Sequence, residues 1–137
     1  MEIGVDTSAL YYYVSDPSRF TPEEKRIAEK TASKLDKAYA EATVAIPTTV
    51  IVELANILHR RYNRAVCAKV ISKLYEEEKN RVVAEPADIF QDALILCDRL
   101  GVKYTDCVIY LTLIRAGINR IVTADRDFEK FSDLTIV

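Results

Sequence analysis

The stretch that decides the fold is TVAIPTTVIVELANILHR, residues 43–60, which joins a short apolar run to a long apolar segment. Residues 43–46 predict a buried strand, and Pro47 and Thr48 open a helix that continues to about Tyr62. A strand followed at once by a helix is the repeating unit of parallel sheets that are covered by helices. This stretch therefore indicates an α/β fold.

The same alternation continues on both sides of this stretch. In chain order the other predicted elements are a strand at 2–6, a helix from Thr7 to Val14, a capped helix from Pro22 to about Ala42, a helix from about Arg64 to Lys79, a strand from Arg81 to Ala84, a helix from Pro86 to Gly101, a helix capped by Thr105 and ended by Gly117, and strands at 120–123 and 134–137. The pattern predicts a three-layer α/β/α fold around a parallel sheet of four to five strands. No linker or repeat divides it, so residues 1–137 are predicted to form one domain.

Composition narrows the classes of function. No apolar run approaches the roughly 18 residues that a membrane span needs. The first residues, MEIGVD, lack the basic region and long apolar stretch of a secretory signal, so we expect a cytoplasmic protein. The formal net charge of −2 argues against bulk electrostatic binding of nucleic acid. If cations neutralise four of the 21 carboxylates, however, 19 bases face 17 acids, and RNA is not excluded.

Glu53 is the strongest single signal, because it interrupts a helix that is apolar on nearly every face. An unpaired carboxylate in a buried helix costs several kcal/mol, so Glu53 needs a partner. Glu53, Asn56 and Arg60 step by three and four along the helix and form one narrow stripe. We interpret this stripe as the lining of a polar cleft. The alternative is an ordinary core helix in which Glu53 forms an ion pair with Arg60 or with a lysine.

Three more regions place acids where a parallel sheet binds ligands. Asp6 ends the first strand, Asp106 lies in the first turn of a helix, and Asp125 follows the strand that contains Ile121. Each has a simpler explanation, since Asp6 suits a helix cap, Asp106 suits a helix dipole, and a turn explains Asp125 or Asp127.

The combination of acids is more informative than any one of them. Four carboxylates that converge at one sheet edge repel each other unless a cation is present. Oxygen ligands of this kind suit Mg²⁺ or Mn²⁺. A cation held there activates water and stabilises the attacking and leaving oxygens of a phosphodiester. The residues therefore predict phosphodiester hydrolysis.

These motifs, taken in order, resemble the PIN-domain family, especially its VapC-type toxins, along essentially the whole chain. The resemblance rests on a strand followed by Asp6-Thr7-Ser8, on Glu53 within a helix, on Tyr104-Thr105-Asp106 leading a helix, and on Thr123-Ala124-Asp125-Arg126-Asp127-Phe128. One departure is the helix after Asp106, which is bulkier than the alanine-rich helix common in the family.

The resemblance implies a set of site residues and partners. Asp6, Glu53, Asp106 and Asp125 would be the catalytic and metal-binding acids, supported by Thr7 or Ser8 and by Thr123. Asp127 competes with Asp125 for the fourth position, and we expect it to be secondary. The family implies endoribonuclease activity with Mg²⁺ or Mn²⁺, a homodimer, and a small cognate antitoxin that inhibits the toxin. From helix geometry we also expect Asn56 and Arg60 to contact RNA or the antitoxin.

Two other functions compete with this one. The first is a PIN-like scaffold that binds RNA or protein without cleaving, although the presence of all four acids counts against it. The second is a receiver-type signalling domain, which needs a phosphoacceptor Asp near mid-chain. Residues 81–85 supply Glu85 and no Asp. Isolated glycines also exclude a phosphate-binding loop.

Overall fold

Five parallel strands form the central sheet of the computed structural model, which describes residues 1–137. The strands are β1 (Glu2–Val5), β2 (Thr43–Pro47), β3 (Asn80–Val83), β4 (Arg120–Val122) and β5 (Thr135–Ile136). The helices are α1 (Thr7–Val14), α2 (Pro22–Glu41), α3 (Thr48–Arg61), α4 (Arg64–Glu76), α5 (Ile89–Leu100) and α6 (Tyr104–Arg115), with short 3₁₀ helices at Pro17–Arg19 and Arg126–Lys130. The predicted α/β class and the predicted strand number are confirmed.

The order of the strands, β3-β2-β1-β4-β5, positions the site. Strand β1 lies at the centre, with Gly4 opposite Ala45 of β2 on one side and Ile121 of β4 on the other. The chain moves outward from β1 to β3 and then crosses back to β4. The order therefore reverses between β1 and β4, and a crevice opens beyond the carboxyl ends of the strands at such a point.

Helices cover the sheet on both faces, as the three-layer prediction requires. Because crossovers between parallel strands are right-handed, the helices that follow β1 and β2 lie on one face, and α5 and α6 lie on the other. Helix α6 approaches β1 closely at Gly4. A Cβ atom there would lie 2.5 Å from Cδ1 of Leu113, so this contact requires glycine. The buried apolar side chains of both faces form a single cluster with the strands.

Two predicted helix boundaries are wrong by about three residues. Helix α4 ends at Glu76 and not at Lys79, because the N–H of Asn80 donates to the carbonyl of Glu77 at 3.0 Å and turns the chain into β3. Helix α5 begins at Ile89 and not at Pro86, since the N–H of Ile89 donates to the carbonyl of Pro86 in a preceding turn.

The predicted cap of α6 is also wrong. The helix begins at Tyr104, and Lys103 occupies the capping position without a side-chain hydrogen bond. Thr105 therefore lies inside the first turn, where it is free to line the crevice. None of the six helices combines the length and apolar character needed to cross a membrane.

Candidate metal centre

The four predicted acids line one cleft of about 300 Å³ beyond the carboxyl ends of the strands. Asp6 follows β1, Glu53 lies in α3, Asp106 lies in the first turn of α6, and Asp125 follows β4. The other lining residues are Thr7, Ser8, Tyr11, Tyr12, Glu24, Ile57, Arg60, Arg61, Lys103 and Thr105. Residues distant in sequence thus converge at the point where the strand order reverses.

Asp6 is buried and holds three hydrogen-bond donors. The hydroxyl of Thr123 donates to Oδ2 at 2.7 Å, and the hydroxyl of Ser8 donates to the same oxygen at 2.9 Å. The N–H of Ala9 donates to Oδ1 at 3.0 Å, so Asp6 also caps α1. Asp6 therefore caps α1 and also lines the cleft, so the two interpretations of this residue are compatible.

Ser8 and Thr123 tie the ends of β1 and β4 to each other. While each hydroxyl donates to Asp6, the Thr123 oxygen accepts from the N–H of Asp125 at 2.9 Å. The Ser8 oxygen accepts from the N–H of Ala124 at 3.1 Å. Both hydroxyls thereby fix the backbone that carries Asp125 relative to Asp6.

Asp106 is the least satisfied acid of the cleft. It is 8% exposed, and its Oδ2 atom is buried without a hydrogen-bond partner. Burial, together with the neighbouring carboxylates of Asp125 and Asp6, raises the pKa of Asp106 to about 7, while Lys103 opposes them. Burial also raises the pKa of Asp6 to about 6, against the hydrogen bonds that it accepts.

Glu53 finds its partner on α1 rather than in an ion pair. The hydroxyl of Thr7 donates to Oε1 of Glu53 at 2.6 Å. The four ion pairs of the structure do not include Glu53 or Arg60, so the core ion-pair alternative is wrong.

The predicted polar stripe on α3 is correct in part. Glu53 and Arg60 line the cleft, but Asn56 is exposed outside it and Ile57 lies there instead. Asn56 is four residues from Val52, which is 60% exposed, so both belong to an outer face of α3. The expectation that this helix is buried on nearly every side is therefore wrong.

Asp127 lies close to Asp106 and Asp125, although the sequence predicts that it is secondary to Asp125. Carboxylate oxygens of Asp106, Asp125 and Asp127 lie within 4.8 Å of one another. Asp125 also accepts from the N–H of Asp127 at 2.9 Å, which begins the short 3₁₀ helix. Asp125 and Asp127 thus form one acidic corner that faces Asp106.

This donor set fits a hard divalent cation. Every candidate ligand atom is a carboxylate oxygen, and the buried Oδ2 of Asp106 has no other partner. Burial and mutual repulsion both raise the pKa values of Asp6 and Asp106, and a nearby positive charge opposes both effects. Mg²⁺ and Mn²⁺ prefer such oxygen ligands.

Sequence reasoning did not predict a role for Lys103 or Thr105. Lys103 lines the cleft and lowers the pKa of Asp106, which it precedes by three residues. Lys103 is the residue that precedes α6, so its position beside Asp106 depends on the turn into the helix, which no sequence pattern indicated. The sequence predicts only a capping role for Thr105.

Comparison with known proteins identifies the family. A family model for the PIN domain matches residues 3–134, nearly the whole chain, and the chain therefore belongs to the PIN-domain family. Membership supports a nuclease activity, which is the hydrolysis of a phosphodiester bond. No curated protein sequence matches the chain closely enough to count as a relative.

Solved structures share the fold at low sequence identity. VapC20 of Mycobacterium tuberculosis, described as a toxin that cleaves the sarcin-ricin loop, is 19% identical with a TM-score of 0.71, over 93% of this chain and 92% of that one. VapBC2 of Rickettsia felis, bound to a DNA fragment from their promoter, is 13% identical with a TM-score of 0.72, over 100% and 98% of the two chains. PAE2754 of Pyrobaculum aerophilum is 19% identical with a TM-score of 0.66, over 100% and 90%.

The acidic cleft predicts an unusual dependence of stability on pH. The folded-state pKa values of Asp6 and Asp106, about 6 and about 7, lie above the ordinary value of 3.8. The folded state therefore binds more protons than the unfolded state between these limits, and its stability falls as the pH rises through them. In EDTA we expect the Tm to decrease from about pH 5 to about pH 8. We expect saturating Mn²⁺ to remove the decrease, because a cation bound in the cleft would favour the ionised carboxylates. A Tm that rises over this interval in EDTA would contradict the pKa assignment.

Proposed function

We propose that this protein is an endoribonuclease that hydrolyses RNA phosphodiester bonds with Mg²⁺ or Mn²⁺ held by Asp6, Glu53, Asp106 and Asp125. The observation that carries the proposal is the buried, unpartnered Oδ2 of Asp106 among carboxylates whose repulsion a cation relieves. Asp127 is proposed as a further ligand on the side of Asp106 and Asp125, because its carboxylate lies within reach of theirs.

Different residues of the chain have different roles in such a site. A bound divalent cation supplies an activated water and neutralises charge that develops on the phosphate. Ser8 and Thr123 orient Asp6, and Thr7 orients Glu53, so the ligand carboxylates are held before any ion binds. Arg60, Arg61 and Lys103 bring positive charge to the rim of the cleft, where a phosphate backbone enters.

The direct test is cleavage of a labelled RNA and of the DNA with the same sequence. We expect cleavage of the RNA with Mg²⁺ or Mn²⁺ and none in EDTA. Cleavage that resists EDTA would overturn the proposed mechanism. Tight RNA binding without cleavage under any cation would instead favour the scaffold alternative, in which the cleft binds nucleic acid but performs no chemistry.

We further propose that the enzyme is the toxin of a toxin–antitoxin pair. The support is its family and its structural likeness to VapC20, which is described as a toxin, and to the VapBC2 assembly. The proposed partner is a small antitoxin whose acidic groups reach Arg60 or neighbouring cations of the cleft. Expression of the chain alone should arrest growth, and co-expression of a small upstream gene should restore it.

Arg60 gives a prediction about substrate binding. It is exposed at the cleft and forms no ion pair, whereas the neighbouring Arg61 donates to the hydroxyl of Tyr11 at 2.9 Å. Arg60→Ala should weaken RNA binding and reduce the slope of log K against log salt by about 0.7, the value for one single-strand phosphate contact. Mn²⁺ affinity should stay unchanged. Arg64→Ala, at the exposed start of α4, is the matched control. If Arg60→Ala and Arg64→Ala give the same slope of log K against log salt, Arg60 is a surface residue and does not contact a phosphate.

A homodimer is proposed through α5. Phe90, Leu94 and Ile95 are exposed by 41%, 64% and 63%, so one side of this helix offers apolar area to water. Contiguous exposed apolar side chains of this kind mark interaction surfaces. Sedimentation should give a dimer for the wild type and a monomer for Leu94→Glu. A monomeric wild type at high concentration would overturn this proposal.

A further inference from the structure

A second groove begins at the acidic cleft and follows α2. It has a volume of about 400 Å³ and lies between α2 and the chain that links β4 to β5. Asp125 belongs to both the cleft and this groove. The floor is formed by Ile27, Thr31 and Ile136, and the rim carries Lys30, Lys34 and Arg126. The groove therefore adjoins the acidic cleft at Asp125.

The groove continues past Lys34 toward the opposite edge of the sheet. A smaller depression of about 170 Å³ shares Lys34 and adds Lys37 and Arg120. Its far limit on α2 is Glu41, so the two depressions together follow the helix from Ile27 to Glu41. Fourteen helical steps, from Ile27 to Glu41, correspond to about 20 Å. The path is long enough to hold several phosphates of an extended strand.

The charges of α2 are segregated toward this path. Lys30, Lys34 and Lys37 follow one another at spacings of four and three and share one helix face. The acids in the middle of the helix point elsewhere: Glu29 lines a different depression, and Asp36 accepts a hydrogen bond from Tyr13 at 2.6 Å. Although the protein carries a net charge of −2, the residues that line the two depressions include five basic side chains and three acidic ones, Glu41, Asp125 and Glu129.

The lysines of the groove form no ion pairs within the protein. Neither Lys30 nor Lys34 takes part in an ion pair, while Arg126 pairs with Glu129 at 3.7 Å. Free ammonium groups along a groove are suited to a phosphate backbone, because each contact releases a condensed counterion and requires no particular base.

We propose that the RNA strand, on one side of the scissile bond, runs from the acidic cleft along this α2 groove with its phosphates on Lys30 and Lys34. This inference rests on the proposed ribonuclease function and adds to it the path of the substrate. Binding along the groove is independent of base sequence, since the lysines of the rim offer point charges that contact phosphates and carry no information about the bases. The groove contributes to affinity for longer substrates and leaves the chemical step at the cleft unchanged.

The test is the double variant Lys30→Ala/Lys34→Ala in the full protein, with Lys69→Ala/Lys73→Ala as control. The control pair has the same spacing on α4, is exposed, and lies outside the groove. For an RNA long enough to fill the groove, we expect the groove variant to raise KM about tenfold with little change in kcat, and to reduce the salt slope by about 1.4. For a dinucleotide that spans only the scissile bond, its kcat/KM should match that of the wild type.

The outcomes separate this inference from the function on which it rests. If the wild type cleaves no RNA, the proposed ribonuclease function fails, and the substrate path fails with it. If the wild type cleaves but both double variants have the same KM and the same salt slope for long RNA, the function stands and the groove path is wrong. If the groove variant processes RNA normally but escapes inhibition by an acidic antitoxin peptide, the groove binds protein, and the RNA path is overturned.

Discussion

Asp106→Asn should abolish RNA cleavage without destabilising the fold. The substitution removes a carboxylate from the proposed cation site, and a cation at such a site contributes several kcal/mol to catalysis. Since each 1.36 kcal/mol corresponds to a factor of ten, the cleavage rate should fall by more than about a thousandfold. The measurement is the single-turnover cleavage rate at saturating Mn²⁺.

The stability of Asp106→Asn distinguishes a metal ligand from a structural residue. The Asp106 carboxylate is ionised at a cost, because burial and neighbouring acids raise its pKa to about 7 and its Oδ2 has no partner. A neutral amide avoids that cost. At about pH 8 in EDTA, the Tm of the variant should therefore equal or exceed that of the wild type by a few degrees. A large drop in Tm would identify Asp106 as a structural residue.

Thr123→Val should lower both stability and activity. The hydroxyl of Thr123 donates to the buried carboxylate of Asp6 at 2.7 Å and accepts from the N–H of Asp125 at 2.9 Å. Valine has nearly the same shape but neither hydrogen bond. A hydrogen bond to a charged buried group is worth about 1.5–3 kcal/mol, and the free energy of unfolding should fall by a similar amount.

Thr123→Val should lose activity because Asp6 is no longer held in position, and not because a metal ligand is removed. Supporting hydrogen bonds to metal-binding residues typically contribute a factor of about 10–100 to affinity or rate. We therefore expect a smaller loss of cleavage than for Asp106→Asn. Thr123→Ser keeps the hydroxyl and should restore most of both properties. If urea denaturation shows Thr123→Val to be as stable as the wild type, the link between β1 and β4 is energetically unimportant.

Much of the fold follows from local sequence signals. The capping box at Thr21 begins α2 as predicted, and the apolar run after Pro47 begins α3. The errors occur where a tertiary or turn contact decides the boundary. Pro86 looks like a helix start, but the chain makes one further turn before Ile89.

The candidate site could be predicted as a set of acids but not as a geometry. The position of Asp6 and Asp125 after strands predicted that they lie at one edge of the sheet, and the combination of four acids, with the family resemblance, made them candidates for the site. The distances between the acids depend on how α3 and α6 pack, and no local pattern encodes that packing. The close approach of Asp127 to Asp106, and the outward position of Asn56, therefore appeared only in three dimensions.

The groove along α2 shows a different limit of sequence reasoning. A lysine-rich helix after a capping box is typical of a solvent-exposed surface, and the charges of α2 suggested nothing more. The structure places the basic face of this helix beside β4 and next to Asp125. Which face of an exposed helix borders a groove depends on contacts with residues that are distant in the chain.

Titration of Mn²⁺ into the wild type and into Asp106→Asn, followed by calorimetry in EDTA-free buffer at about pH 6.5, tests the cation site most directly. At this pH the Asp106 carboxyl, with its pKa of about 7, is largely protonated before the ion binds. Binding to the wild type should therefore release protons, seen as a heat that changes with the ionisation enthalpy of the buffer. Asp106→Asn should lose both the affinity and the proton release. Equal Mn²⁺ affinity in the two proteins would contradict the assignment of the acidic cleft as the metal centre.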